Sequence, residues 1–117
     1  MRPFEKLDAW KLGHELNLRI YKVSGCFPDH ERYGLTAQVR RAASSVPANV
    51  AEGSAAPSKR EFRRYLAIAL RSLNEVSRWL IQARDLEYVE QAEWRRLDAL
   101  RNRTGRVIWR LSKSLEQ

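Results

Sequence analysis

The chain is poor in most of the residues that carry chemistry. It has one cysteine, two histidines and one methionine, with four prolines and five glycines among 117 residues. Cys26 alone cannot form an internal disulfide, and an unpaired thiol fits a reducing cytoplasm, the expected location. Neither His14 nor His30 belongs to a Glu-x-x-His pair, which excludes a ferritin-like di-metal site. Cys26 and His30 are separated by Pro28, so no helix brings them together as nucleophile and base. The glycines are scattered singly, so there is no phosphate-cradling loop. No apolar run approaches the ~18 residues that would suggest a membrane span. The charged opening stretch MRPFEKLDAW has no signal-peptide core. Period-2 runs and Asn-Gly or Asp-Gly turns are also missing, which argues against strands. With no paired carboxylates on one face either, no cofactor or metal is expected, and the chain reads as a non-enzyme.

What is present is helical periodicity. Ala9, Leu12, Leu16, Ile20 and Val23 repeat at steps of three and four, predicting a helix over about 7–24 that breaks at Gly25 and Pro28. Leu35, Val39, Ala42, Val46 and Val50 predict a second over 31–52, with Gly53 as the residue just past its end. Ser58-Lys59-Arg60-Glu61 reads as a capping box opening a third helix over 58–86. There Phe62, Leu66, Ala69, Leu73, Val76, Leu80 and Ala83 alternate steps of four and three. A fourth, over 90–115, carries Trp94, Leu97, Leu100, Thr104, Val107 or Ile108, Leu111 and Leu115. Four helices with short connections predict an all-α fold, a single-domain antiparallel up-down-up-down four-helix bundle.

Two of these helices are more apolar than a bundle interior requires. Leu7, Trp10, His14, Leu18 and Tyr21 form a second stripe on the first helix. Ile68 and Trp79 flank one side of the third, and Leu70 and Ile81 the other. Apolar stripes containing tryptophan point to a subunit interface, so Leu7, Trp10, His14, Tyr21, Ile68 and Trp79 are its candidates.

Charge is the strongest bulk signal. The net charge is +8, with seventeen arginines to five lysines. Residues 1–57 carry eight basic against six acidic residues, and residues 58–117 carry fourteen against eight. Arg60, Arg64, Arg71 and Arg78 fall on one line of the third helix, opposite its core stripe. Arg96, Arg103, Arg106, Arg110 and Lys113 do the same on the fourth, where Asp98 is the single acid between Arg95 and Arg110. Such rows could track the phosphates of structured RNA or DNA. The alternative is a protein-interaction scaffold whose arginines are solubilising or meet an acidic partner. An enzymatic reading would need Glu52 or Glu75 as a buried acid or base.

The stretch SSVPANVAEG places Pro47 inside the second helical pattern. A restart at Ser45 would put the proline in a first turn. Continuous phase from Leu35 to Val50 instead favours one bent helix. Asn49 and Glu52 are expected to hydrogen-bond across to the third helix near Ser72 and Glu75, or to the Ser58 end, as a register lock.

From FEKLDAW through FPDHERYGLTAQVRRAASSVPANVAEG to EFRRYLAIALRSLNEV, the chain resembles the bacterial S23 or intervening-sequence-protein family, first linked to intervening sequences in 23S ribosomal RNA genes. The residues carrying the likeness are Gln38, Arg41, Ser45, Pro47, Asn49, Glu52 and Gly53, then Ala69, Ser72, Leu73 and Glu75. Arg71 departs from it, standing where the family often has a small residue. The resemblance implies a four-helix bundle assembled into a homo-oligomer, a pentameric ring. The accessory protein of diversity-generating retroelements is a distant relative, so by analogy a reverse transcriptase joins nucleic acid among the implied partners.

Overall fold

A computed structural model describes residues 1–116. Four helices account for most of the chain: α1 (Asp8–Ser24), α2 (Leu35–Ser54), α3 (Lys59–Asp85) and α4 (Gln91–Ser114). Short 3-10 turns at Pro3–Lys6 and Asp29–Glu31 precede α1 and α2. No strand occurs among the described residues. At 1.5 Å per residue the 27 residues of α3 run about 40 Å, close to the 45 Å long axis of a body only 24 by 23 Å across. Each helix packs against its sequence neighbours, and α4 closes back on α1, while the backbones of the diagonal pairs stay apart. This is the up-down-up-down bundle, and none of its helices is long and apolar enough to cross a membrane.

The predicted stripes supply the core. Leu16 and Ile20 from α1, Val39, Val46 and Val50 from α2, Leu66, Val76 and Leu80 from α3, and Leu97 and Ile108 from α4 are fully buried. Of the pair left open on α4, Ile108 takes the core position and Val107 only packs against its edge. Thr104 is also fully buried, and its hydroxyl is satisfied within α4 by donating to the Leu100 carbonyl at 2.7 Å.

The ends of the helices depart from expectation in instructive ways. Helix α2 begins at Leu35 because Glu31 forms the preceding turn and caps it from outside: Glu31 Oε1 accepts the Leu35 amide at 3.0 Å. Ser58 caps α3 by accepting the Glu61 amide at 3.1 Å. The reciprocal half of that capping box is absent, because the Glu61 carboxylate is engaged by Arg64 at 3.0 Å. At the end of α3, Tyr88 N–H donates to the Ala83 carbonyl and Glu87 N–H to that of Arg84, both at 2.9 Å. That is a Schellman closure with Glu87 at φ 64° where glycine is usual.

Gly53 does not end α2. The helix runs on to Ser54, and Gly53 is buried within it. A Cβ there would sit 2.8 Å from both Phe62 Cδ1 and Tyr65 Cβ, so the glycine permits the close approach of α3 to α2. Gly13 has the same role between α1 and α2, since a Cβ would meet Val46 Cγ1 at 3.1 Å and the Pro47 backbone N at 3.5 Å. Pro47 thus lies buried in a helix continuous from Leu35 to Ser54, with the backbone of α1 close beside it.

Candidate nucleic-acid interface

The polar stretch around Pro47 serves packing. Asn49 Nδ2 donates to its own helix, to the Ser45 carbonyl at 2.8 Å and to Ser45 Oγ at 2.9 Å. Ser45 Oγ also accepts from Ser72 Oγ at 2.8 Å, which carries the link across to α3. The register lock therefore exists but is built differently from expectation. Ser45 bridges to Ser72, with Asn49 bracing Ser45 one turn away. Glu52 is exposed and makes no side-chain hydrogen bond among the described residues, and the half-buried Glu75 makes none either. Gln38 is half-buried and Arg41 exposed.

Ser72 is buried, so removing its acceptor strands a hydroxyl. Ser45→Ala is expected to cost about 1–2 kcal/mol. In the double variant Ser45→Ala/Ser72→Ala the two losses should not add, leaving a coupling of about 1 kcal/mol in a denaturant double-mutant cycle. Additive losses would show that the two hydroxyls do not act as a pair.

One functional arginine of the fold escaped the motif. Arg40, next to Arg41, donates through Nε to Ser24 Oγ at 2.8 Å and through Nη2 to the Tyr21 carbonyl at 3.0 Å. Its guanidinium also lies 4.6 Å from the Tyr21 ring centroid. It thereby places a cation at the negative end of α1. Ser44 Oγ and Asn17 Oδ1, 3.2 Å apart, add a second α1–α2 tie. At the N-terminus of α2, Glu31 Oε2 accepts the Tyr88 hydroxyl at 3.0 Å, joining the α3–α4 turn to the α2 cap. These bonds, the Leu35 amide first and Tyr88 second, hold the Glu31 carboxyl below its ordinary value of 4.5. A carboxylate with a lowered folded pKa stabilises above the unfolded pKa, and the gain is lost as pH falls through the folded value. The melting temperature of Glu31→Gln should therefore lie below wild type near neutral pH, with the gap closing as pH falls below the ordinary carboxylate range. A gap that persists in acid would mean the carboxylate charge is not what Glu31 contributes.

The nine basic candidates are all exposed, but they are not equivalent. Arg64 pairs with Glu61 at 3.0 Å, Arg96 with Glu93 at 2.8 Å and Lys113 with Glu116 at 3.1 Å. Exposed pairs of this kind are worth at most about 1 kcal/mol, so they hold these cations only weakly. Arg60, Arg71, Arg78, Arg103, Arg106 and Arg110 have no ion pair among the described residues, and Arg78 lies 4.9 Å over the Trp79 ring. The α4 row also divides in two. Arg96 and Arg103 border the α1–α4 side, where Lys11, Arg19 and Lys22 stand together with the acids Asp8 and Glu93. Arg106 and Arg110 border the α3–α4 groove. Among the described residues no cluster of His, Cys, Asp and Glu could hold a metal ion.

The interface candidates separate as well. Leu7 and Trp10 pack against the protein's own core, with Trp10 5.2 Å from Phe4 of the leading turn and stacked on His14 at 4.6 Å. Ile68 is half-buried, and Trp79 packs against the core with its buried Nε1 unpartnered. Tyr21 is the candidate left open, at 44% exposure beside Leu18 at 56%. The large aromatic that periodicity passed over is Trp109, 53% exposed on α4 among the arginines.

The fold has a known counterpart. The crystal structure of a protein of unknown function from the S23 ribosomal protein family of Bacteroides thetaiotaomicron superposes with a TM-score of 0.80. The match covers 90% of this chain and 98% of the other at 23% identity, a likeness of fold. No curated protein matches the sequence. The family model described as 23S rRNA-intervening sequence protein matches residues 5–110, almost the whole length, and the chain belongs to that family.

Proposed function

We propose that the protein is a non-enzymatic, homo-oligomeric binder of structured RNA or DNA that holds its ligand through phosphate contacts. The observation that carries this reading is that six of the candidate arginines on α3 and α4 are exposed and have no ion-pair partner among the described residues. Arginine is always charged and its planar fork matches phosphate oxygens in pairs. Mounted on helices, the arginines need no backbone ordering on binding, and only their side chains lose freedom. Assembly of several copies, the pentameric ring that the family resemblance implies, would multiply weak contacts into avidity. The family's own description makes a ribosomal RNA fragment the natural first probe.

Fluorescence anisotropy with a structured ribosomal RNA hairpin and a duplex DNA should show binding at ~50 mM salt. Affinity should fall linearly on a log–log plot as salt rises, with little preference among sequences. An assembled protein that binds neither probe at ~50 mM salt would sink the proposal.

A further inference from the structure

The groove between α3 and α4 has a volume of about 540 Å³ and is open along one side. That volume lies within the roughly 300–1,000 Å³ of typical small-molecule sites. Its floor is apolar, formed by Leu70 and Leu73 of α3, and it is kept open where Gly105 faces Leu73. Its rim is polar: Asn74 and Asn102 carry amides, and Arg106 and Arg110 are exposed. At its edge stands Trp109, whose ring has Lys113 Nζ 5.2 Å from its centroid. Arg106, Trp109 and Lys113 follow at steps of three and four, so ring and cations share one face of α4.

From this arrangement, and resting on the nucleic-acid reading above, we infer that the groove is a stacking site for an unpaired nucleobase. Trp109 supplies the aromatic platform, and Arg106, Arg110 and Lys113 hold the flanking phosphates. A π-face beside cations is how single strands are gripped without sequence preference. The Asn74 amide can both donate and accept, as the edge of a base requires, while Asn102 Oδ1 already accepts from Arg101 at 3.0 Å and leaves its NH2 to donate. Charge argues against a second copy of the chain as the occupant. Interface cores are depleted in charge, and another copy would bring a body of net +8 against this rim. The residues lining the groove include no acid, and the two acids paired with its neighbouring cations, Asp98 with Arg101 at 3.0 Å and Glu116 with Lys113 at 3.1 Å, are already neutralised. A polyanion with planar apolar bases meets both the floor and the rim.

Three probes separate base stacking from phosphate contact: a short oligouridylate, a duplex of mixed sequence, and inorganic polyphosphate, which has no bases. Trp109→Ala should weaken oligouridylate binding about tenfold, the usual loss for one stacked base, and leave duplex and polyphosphate binding within about twofold. Trp109→Phe should restore most of the loss, and oligouridylate but not polyphosphate should quench the tryptophan emission of the wild type. Equal weakening of all three ligands, or none, would overturn the stacking site while leaving the phosphate reading intact. A change in the oligomeric state of Trp109→Ala by light scattering would overturn it too, by placing the ring in a subunit interface. If wild type bound none of the three, both readings would fall together.

Discussion

Leucine at position 53 is expected to lower stability by about 3 kcal/mol, a drop of roughly 10 °C or more in the melting temperature. Two effects oppose each other there. Gly53 lies inside α2, where replacing glycine by a better helix former gains up to about 1 kcal/mol. Against this, even a Cβ would approach Tyr65 Cβ to 2.8 Å, and Tyr65 Cβ is anchored to the α3 backbone. The Phe62 ring, at the same 2.8 Å, could turn away, but Tyr65 Cβ can retreat only if α3 moves. Overpacking costs about 1–3 kcal/mol and so outweighs the propensity gain, and the larger side chain adds to it. Alanine should show the same sign with a smaller loss, near 1 kcal/mol. Position 105 is the internal control. A Cβ on Gly105 meets Leu73 Cδ1 at an ordinary 3.6 Å, so Gly105→Ala should be neutral or stabilising in the same helical setting. Equal responses at the two positions in denaturant titrations would refute the close-approach account of Gly53.

That contrast also shows what a single sequence can and cannot carry. The stripes of α1 to α4 were legible because burial repeats with the helix period, and Leu16, Val46, Leu66 and Leu97 all lie where it places them. The space needed at Gly13 and Gly53 depends on a neighbouring helix, which no local pattern records. Gly53 therefore read as a helix terminator when it is a contact residue. The same limit misassigned the polar lock. Asn49 is one turn from Ser45, so its short amide reaches back to its own helix, and the crossing falls to the Ser45 hydroxyl. Arg40 and Arg41 are adjacent and chemically alike. Which of them caps α1 depends on which faces α1 across the α1–α2 packing, and there Arg40 is half-buried while Arg41 is exposed. On the candidate surface, the arginine rows were legible as exposed lines. Their division between two grooves was not, because it follows from where α1 and α3 flank α4. Trp109 was missed for a related reason: it lies beside the core stripe in sequence yet outside it in rotation.

Reversing Arg103, Arg106 and Arg110 together to glutamate should reduce affinity for structured RNA at ~50 mM salt by on the order of 100-fold or more. The log–log salt slope should become shallower by about 2–3, the charge of three phosphate contacts per binding site. The effect should fall on binding and spare folding. All three side chains are exposed and none has an ion pair among the described residues. Like charges three and four apart on one helix repel by a few tenths of a kcal/mol whichever their sign, so exchanging one set for another changes that term little. The remaining cost is a negative charge near the C-terminal end of α4, about 0.3–1 kcal/mol. Binding measurements can therefore be made on folded protein, with circular dichroism and light scattering confirming helix content and assembly. Reversal of Arg32 and Arg41 provides the comparison. Both are exposed, and Arg41 is on α2, the helix diagonal to α4. If the ligand responds only to net charge, each reversal should cost the same per charge in both variants. If the α4 surface is the contact, the triple reversal should cost several-fold more per charge, and the shallower salt slope should belong to it alone. An equal per-charge loss would remove α4 as the binding face and leave only a diffuse attraction between a basic protein and a polyanion.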